Sequence, residues 1–173
     1  QQKETEDAED EPNDPLFPAM LSELSPGGRM DLAEIRRLLE AGADVEVVNE
    51  AFGTPLVYAC SQSTMHGQFK PQYEALVRLL LSHGADANRP VFQGFARATP
   101  LFRASVVGNV NAVRLLLDHG ASVDLAGANG TTTPLCIACE QVQYLASDHL
   151  LPVIRLLLER GANLDVPSNR NVA

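Results

Sequence analysis

Apolar residues along this chain gather in one recurring pattern. Four stretches carry an Arg, then a leucine-rich turn, then Gly-Ala: "IRRLLEAGADVE" from Ile35, "LVRLLLSHGADAN" from Leu76, "AVRLLLDHGASVD" from Ala112 and "VIRLLLERGANLD" from Val153. Leucines three and four apart share one helical face, so each stretch predicts a helix with one apolar side, densest at Leu115, Leu116 and Leu117. Gly42, Gly84, Gly120 and Gly161 permit the left-handed residue that ends such a helix. A second segment precedes three of them: "GTPLVYAC" from Gly53, "ATPLFRAS" from Ala98 and "TTPLCIAC" from Thr132, with a degenerate "DPLFPAML" from Asp14. Thr54, Thr99 and Thr133 stand where a hydroxyl can accept from an open N–H at a helix start. Pro55, Pro100 and Pro134 take the first helical position, where a missing donor does no harm. Asp14-Pro15 can do the same in the first unit.

Each unit therefore reads as a helix, a turn, an antiparallel helix and an extended loop. One such hairpin cannot bury its apolar face alone, whereas stacked neighbours share a continuous core. T-P-L followed by L-L-L-x-x-G-A-D/N resembles the ankyrin repeat family across residues 14–166. The resemblance implies an all-α ankyrin-repeat solenoid of about four helix-turn-helix units linked by extended hairpin-like loops. The units fall at roughly 14–52, 53–97, 98–131 and 132–166, after an acidic disordered tail at 1–13 and before a short tail at 167–173. Three units are enlarged between their helices, around Ser22–Met30, Ser61–Gln72 and Glu140–Leu150, where longer first helices or protruding turns are expected. Where the family usually has His after T-P-L, this chain has Val57, Phe102 and Cys136, so an apolar slot replaces a polar link. The last unit ends soon after Asp165, and Ile154 and Leu157 are expected to stay partly exposed.

Charge changes the picture at one end. The net charge is −9, and Glu4, Glu6, Asp7, Glu9, Asp10, Glu11 and Asp14 face Lys3 alone. A segment this acidic, without large apolar residues, cannot offset its ordering entropy. It reads as a solubilising tail or as an arm that meets a basic surface. The remaining body is close to neutral, which argues against nucleic acid as a partner. No apolar run reaches the ~20 residues needed to span a bilayer, so direct membrane insertion is not expected. The opening "QQKETEDAED" has no basic-then-apolar leader, and Cys is odd in number at 3. Together these point to a reducing intracellular compartment, the cytoplasm first, or an organelle after removal of a presequence.

Candidate chemistry centres on Cys136 and Cys139, spaced C-x-x-C at a predicted helix start. Cys139 shares its register with Cys60 and Ser105, a small slot where helices pack, and Cys136 shares the apolar slot. Packing therefore explains each thiol separately. Thiol redox chemistry is the alternative, because a helix N-terminus can lower a thiol pKa. A metal site lacks further ligands, since His149 lies beyond a turn at Ala146–Asp148. His83 and His119, just before their glycines, suit the ends of helices. Asp44, Asp86, Asp124 and Asp165 read as loop structure at one recurring register. No catalytic residue, cofactor or metal is assigned.

The resemblance implies a non-catalytic protein-protein interaction module that uses loop tips and first helices. The loop "NRPVFQGFARA" from Asn88 offers Arg89, Val91, Phe92, Phe95 and Arg97, and the first helices offer Tyr58, Arg103, Val106, Val107 and Ile137. Aromatic and Arg side chains dominate binding hot spots. Arg89, Arg97 and Arg103 are expected to lie together and to meet an acidic segment of a partner protein. An accessory or scaffolding subunit of a larger assembly is the first reading; a regulatory adaptor with transient partners and a thiol redox protein are the others.

Overall fold

The computed structural model describes residues 14–22, 30–62, 71–93, 96–127, 130–143 and 147–165. Its helices are α1 (Leu16–Leu21), α2 (Leu32–Glu40), α3 (Pro55–Ser61), α4 (Pro71–Ser82), α5 (Pro100–Val106), α6 (Val110–Asp118), α7 (Pro134–Gln141) and α8 (Ser147–Glu159). Strands β1 (Val91–Gln93) and β2 (Ala96–Ala98) pair antiparallel between α4 and α5, with Val91 opposite Ala98 and Phe92 opposite Arg97. Successive helices pair as α1–α2, α3–α4, α5–α6 and α7–α8. The first helices of the last three hairpins pack α3 on α5 on α7, and the second helices pack α2 on α4 on α6 on α8.

Local chemistry opens and closes each hairpin alike. The Oγ1 atoms of Thr54, Thr99 and Thr133 accept from the N–H groups of Val57, Phe102 and Cys136 at 3.3, 3.1 and 3.3 Å. In the first unit the Asp14 carboxylate accepts from Phe17 N–H at 3.2 Å. At the other end, φ at Gly42, Gly84, Gly120 and Gly161 is +93°, +88°, +83° and +83°. The alanine after each then donates back into the last turn: Ala43 to the Leu38 carbonyl, Ala85 to Leu80, Ala121 to Leu116 and Ala162 to Leu157, at 3.0, 3.1, 2.9 and 3.0 Å. This six-to-one closure satisfies a terminal carbonyl and needs the positive φ that glycine supplies cheaply.

The main core runs through the stack from Leu16 to Ala162 and holds the buried Leu56, Leu80, Leu101, Leu116 and Leu157. Leu157, expected near the surface, is thus interior, and Ile154 is half-buried against the same core. The exposed large apolar residues of this last hairpin are Leu151, Leu158 and Leu164.

A second, smaller cluster joins Val57, Val91, Ala98 and Phe102, with Val106 and Ile137 packed against it. It ties the β1–β2 hairpin to the first helices through the apolar slot that replaces the family's His. Phe102 also closes the loop before α7. A Cβ at Gly127 would run into the Phe102 ring, while Gly127 N–H donates to the Thr132 carbonyl at 2.9 Å.

Of the two forms of enlargement expected, protruding turns fall largely outside the described residues, and longer first helices are not found among them. First helices α3 and α5 have 7 residues each and α7 has 8, so none is extended. The second helices grow instead, to 12 residues in α4 and 13 in α8 against 9 in α6. Buried Tyr73 in α4 and Leu150 in α8 supply the extra apolar anchors that carry helix periodicity upstream. The expected turn at Ala146–Asp148 is accordingly replaced, for Ser147 and Asp148, by the start of α8. The rest of the enlarged segments, at 23–29, 63–70 and 144–146, lies outside the described residues, as do the tails at 1–13 and 167–173.

Gly127→Ala must displace either the loop or the Phe102 ring. It is expected to lower unfolding stability by about 1–3 kcal/mol in urea titration, and the loss should shrink in the Phe102→Leu background. A wild-type midpoint for Gly127→Ala would contradict this contact.

Candidate protein-binding surface

The described surface includes the loops that join hairpins, the outward sides of the second helices, where Arg36, Arg78, Arg114 and Arg155 are exposed, and parts of the first helices α5 and α7. The loops are first of all structural. Glu46, Asn88 and Asp124 each stand four residues after a helix-ending glycine. Each accepts from the backbone N–H two residues after the next glycine: Glu46 from Asp86 at 2.7 Å, Asn88 from Ser122 at 2.7 Å and Asp124 from Asn163 at 3.0 Å. Asn88 Nδ2 also donates to the Gly120 carbonyl at 3.0 Å. Side-chain acceptors thus form a ladder linking hairpin to hairpin. The signal was in the sequence as a recurring acceptor, but Asp44 and Asp86 stand two residues after their glycines, whereas Asp124 and Asp165 stand four after. Two registers replace the single one expected.

The ladder also engages Arg89. Its Nη1 lies 2.9 Å from Glu46 Oε2, so it also braces two loops. Tyr58 and Val91 are corrected, because both are buried. Tyr58 sits in an aromatic group with ring-centroid distances of 5.3 Å to Phe52, 6.4 Å to Phe17 and 6.2 Å to Tyr73. Val91 anchors the hairpin in the smaller cluster. Phe92 and Arg97 are described here as a backbone pair across that hairpin, and Phe95 lies outside the described residues.

Arg103 and Val106 of α5, Val107 at its C-cap and Ile137 of α7 are half-buried. Arg103 and Ile137 occupy one register on adjacent first helices, and Val106 and Val107 stand three and four residues after Arg103, on its side of the helix. Burial holds the Arg103 guanidinium below its usual range. A cation partly stripped of water in an apolar setting is well placed to gain from a carboxylate.

The three thiols form no disulfide and sit in different settings. Cys60 is fully buried, and burial pushes its thiol well up. Cys139 shares that register but is exposed, because the last described hairpin has no neighbour over it. The packing role expected for it is therefore filled only by Cys60 and Ser105. Burial and then the neighbouring Cys136 push the Cys139 thiol up, away from the thiolate that redox exchange uses. His83 and His119 direct Nδ1 at the Leu79 and Leu115 carbonyls, at 2.9 and 2.8 Å, finishing their helices. His149 lies in the first turn of α8. Among the described residues, no group of three or more His, Cys, Asp or Glu could hold a metal ion, and no helix is long and apolar enough to cross a membrane.

The family model for ankyrin repeats in three copies matches residues 27–124 and 68–168. The chain belongs to the ankyrin repeat family. It is 36% identical over 124 residues to ankyrin repeat and SOCS box protein 16 of Mus musculus, covering 72% of this chain and 26% of that protein. It is 33% identical over 102 residues to the B-cell lymphoma 3 protein homolog of Mus musculus, covering 58% and 20%. To ankyrin repeat and MYND domain-containing protein 1 of Homo sapiens it is 35% identical over 94 residues, covering 53% and 10%. The chain therefore spans about a quarter or less of the length of these relatives. Ankyrin repeats are protein-protein interaction modules and are generally non-catalytic.

Asn88→Ala removes both hydrogen bonds of the central rung and is expected to lower stability by about 1–2 kcal/mol. Asn88→Asp keeps the acceptor and should lose less. Equal urea midpoints for Asn88→Ala and the parent chain would show that the rung contributes nothing.

Proposed function

We propose that this ankyrin-repeat chain is a non-catalytic protein-binding module serving as an accessory or scaffolding subunit of a larger assembly. Its recognition face is the outward side of α5 and α7 beside the β1–β2 hairpin, and its partner carries an acidic segment. The observation that carries this reading is Arg103, half-buried and desolvated next to Val106 and Val107 and level with Ile137. A carboxylate docking there would gain a charge-assisted hydrogen bond in a setting of low solvent competition. The apolar neighbours would exclude water around the contact, as at binding hot spots. The upward pull on the Cys139 thiol disfavours the redox alternative.

The test is affinity capture with the 173-residue chain, identification of the bound protein by mass spectrometry, and affinity measurement against Arg103→Glu. The variant is expected to bind at least about tenfold more weakly, about 1.4 kcal/mol, while keeping its helical circular dichroism. Undiminished affinity in a folded Arg103→Glu variant would place the recognition face elsewhere.

A further inference from the structure

Charge of the two signs is segregated along this chain. From Ala87 to Leu117 stand four arginines, Arg89, Arg97, Arg103 and Arg114, and no Asp or Glu. The first helices α3 and α5 carry no carboxylate either. Residues 1–13 are the opposite: Glu4, Glu6, Asp7, Glu9, Asp10 and Glu11 stand there with Lys3 as the one base. They join the described body at Asp14, which shares a groove of about 450 Å³ with Asp44, Glu46 and Arg89. The acidic segment therefore meets the body beside Arg89, on the loop side of the stack. Asp44 and Glu46 repel it there, and the acid-free run that opens at Arg89 attracts it. Arg89 is paired with Glu46 yet keeps 41% of its side chain exposed. The second helices offer a poorer seat. Arg37 and Arg78 already meet Glu34 and Glu74, at 2.7 and 2.9 Å, and Arg114 and Arg155 share a groove with Asp148 and Glu159.

We infer that the acidic segment Glu4–Glu11 docks back on this chain's own Arg89 and Arg103, beside the β1–β2 hairpin and on the outward side of α5. Arg97, on β2 between them in sequence, adds a third positive charge. Reach is ample: thirteen residues span at most about 43 Å when extended, and two packing steps of about 10 Å each separate the first hairpin from α5. A link this short gives an effective concentration in about the millimolar range, so even a weak contact is largely formed within one chain. An acidic segment of a partner must then displace the chain's own before it reaches Arg103. Its apparent affinity falls in proportion to the fraction of chains left open. That consequence, though not the dock itself, rests on the recognition face proposed above.

The experiment places a nitroxide on residue 5 of the full 173-residue chain, using Thr5→Cys with Cys136→Ser and Cys139→Ser; Cys60 is fully buried and stays unlabelled. Paramagnetic broadening of methyl signals is read by NMR. Val106, Val107 and Ile137 are expected to broaden selectively over Leu38 of α2 and Leu151 of α8. The selective broadening should fall at least about twofold when NaCl is raised from about 20 to about 500 mM. It should fall as far when the segment is neutralised by Glu4→Gln, Glu6→Gln, Asp7→Asn, Glu9→Gln, Asp10→Asn and Glu11→Gln, and in Arg89→Gln with Arg103→Gln. Uniform broadening, broadening centred on Leu38, or broadening that survives neutralisation would overturn the inference. Selective broadening with undiminished partner affinity in Arg103→Glu would uphold the dock and overturn the recognition face. Uniform broadening with diminished affinity would do the reverse.

Discussion

No hairpin in this chain can bury its own leucine face, so each is stable only against the next. That constraint governs everything else in the structure. Leu80, Leu116 and Leu157 close the second helices against their neighbours, while Leu56, Leu101 and Leu135 do so along the first helices. At about 1.5–3 kcal/mol for each fully buried large apolar side chain, these contacts outweigh any single hydrogen bond in the loops. The caps and glycine closures set where each helix starts and stops. The burial between hairpins makes those starts and stops persist.

Two weaker devices hold the loops to this spine. On one side, Glu46, Asn88 and Asp124 pass a side-chain acceptor to the next loop. On the other, Val57 and Phe102 fill the slot after T-P-L and clamp Val91 and Ala98 of the β1–β2 hairpin. The family's polar link at that slot is thus exchanged for a small apolar cluster, and the hairpin rests on hydrophobic contact. This arrangement holds the hairpin beside α5, where Arg103, Val106 and Val107 form an adjacent half-buried strip.

Features set by nearby residues were legible in the sequence. Thr99 caps α5 and Gly120 closes α6 through contacts within a few residues, so local pattern suffices. Features set by distant packing were not. Tyr58, Arg103 and Ile137 share one register, yet Tyr58 is buried because Phe17, Phe52 and Tyr73 converge on it. Cys60 and Cys139 also share a register and differ in burial only because one has a hairpin beyond it. The contact of Arg89 with Glu46, 43 residues away in sequence and 2.9 Å away in space, is likewise made by the fold and not by local pattern. The upstream extension of α8 runs through Pro152, with Leu150, Val153 and Leu157 keeping one buried face set by packing on the stack.

Native-state hydrogen exchange on Leu116→Ala tests the central claim most directly. Leu116 is fully buried in α6, between α4 and α8, and its truncation should cost about 2–5 kcal/mol. If hairpins are stable only against each other, amide protection must fall in α4 and α8 as well as in α6. Loss of protection confined to α6, with α4 and α8 exchanging as in the parent chain, would contradict the account.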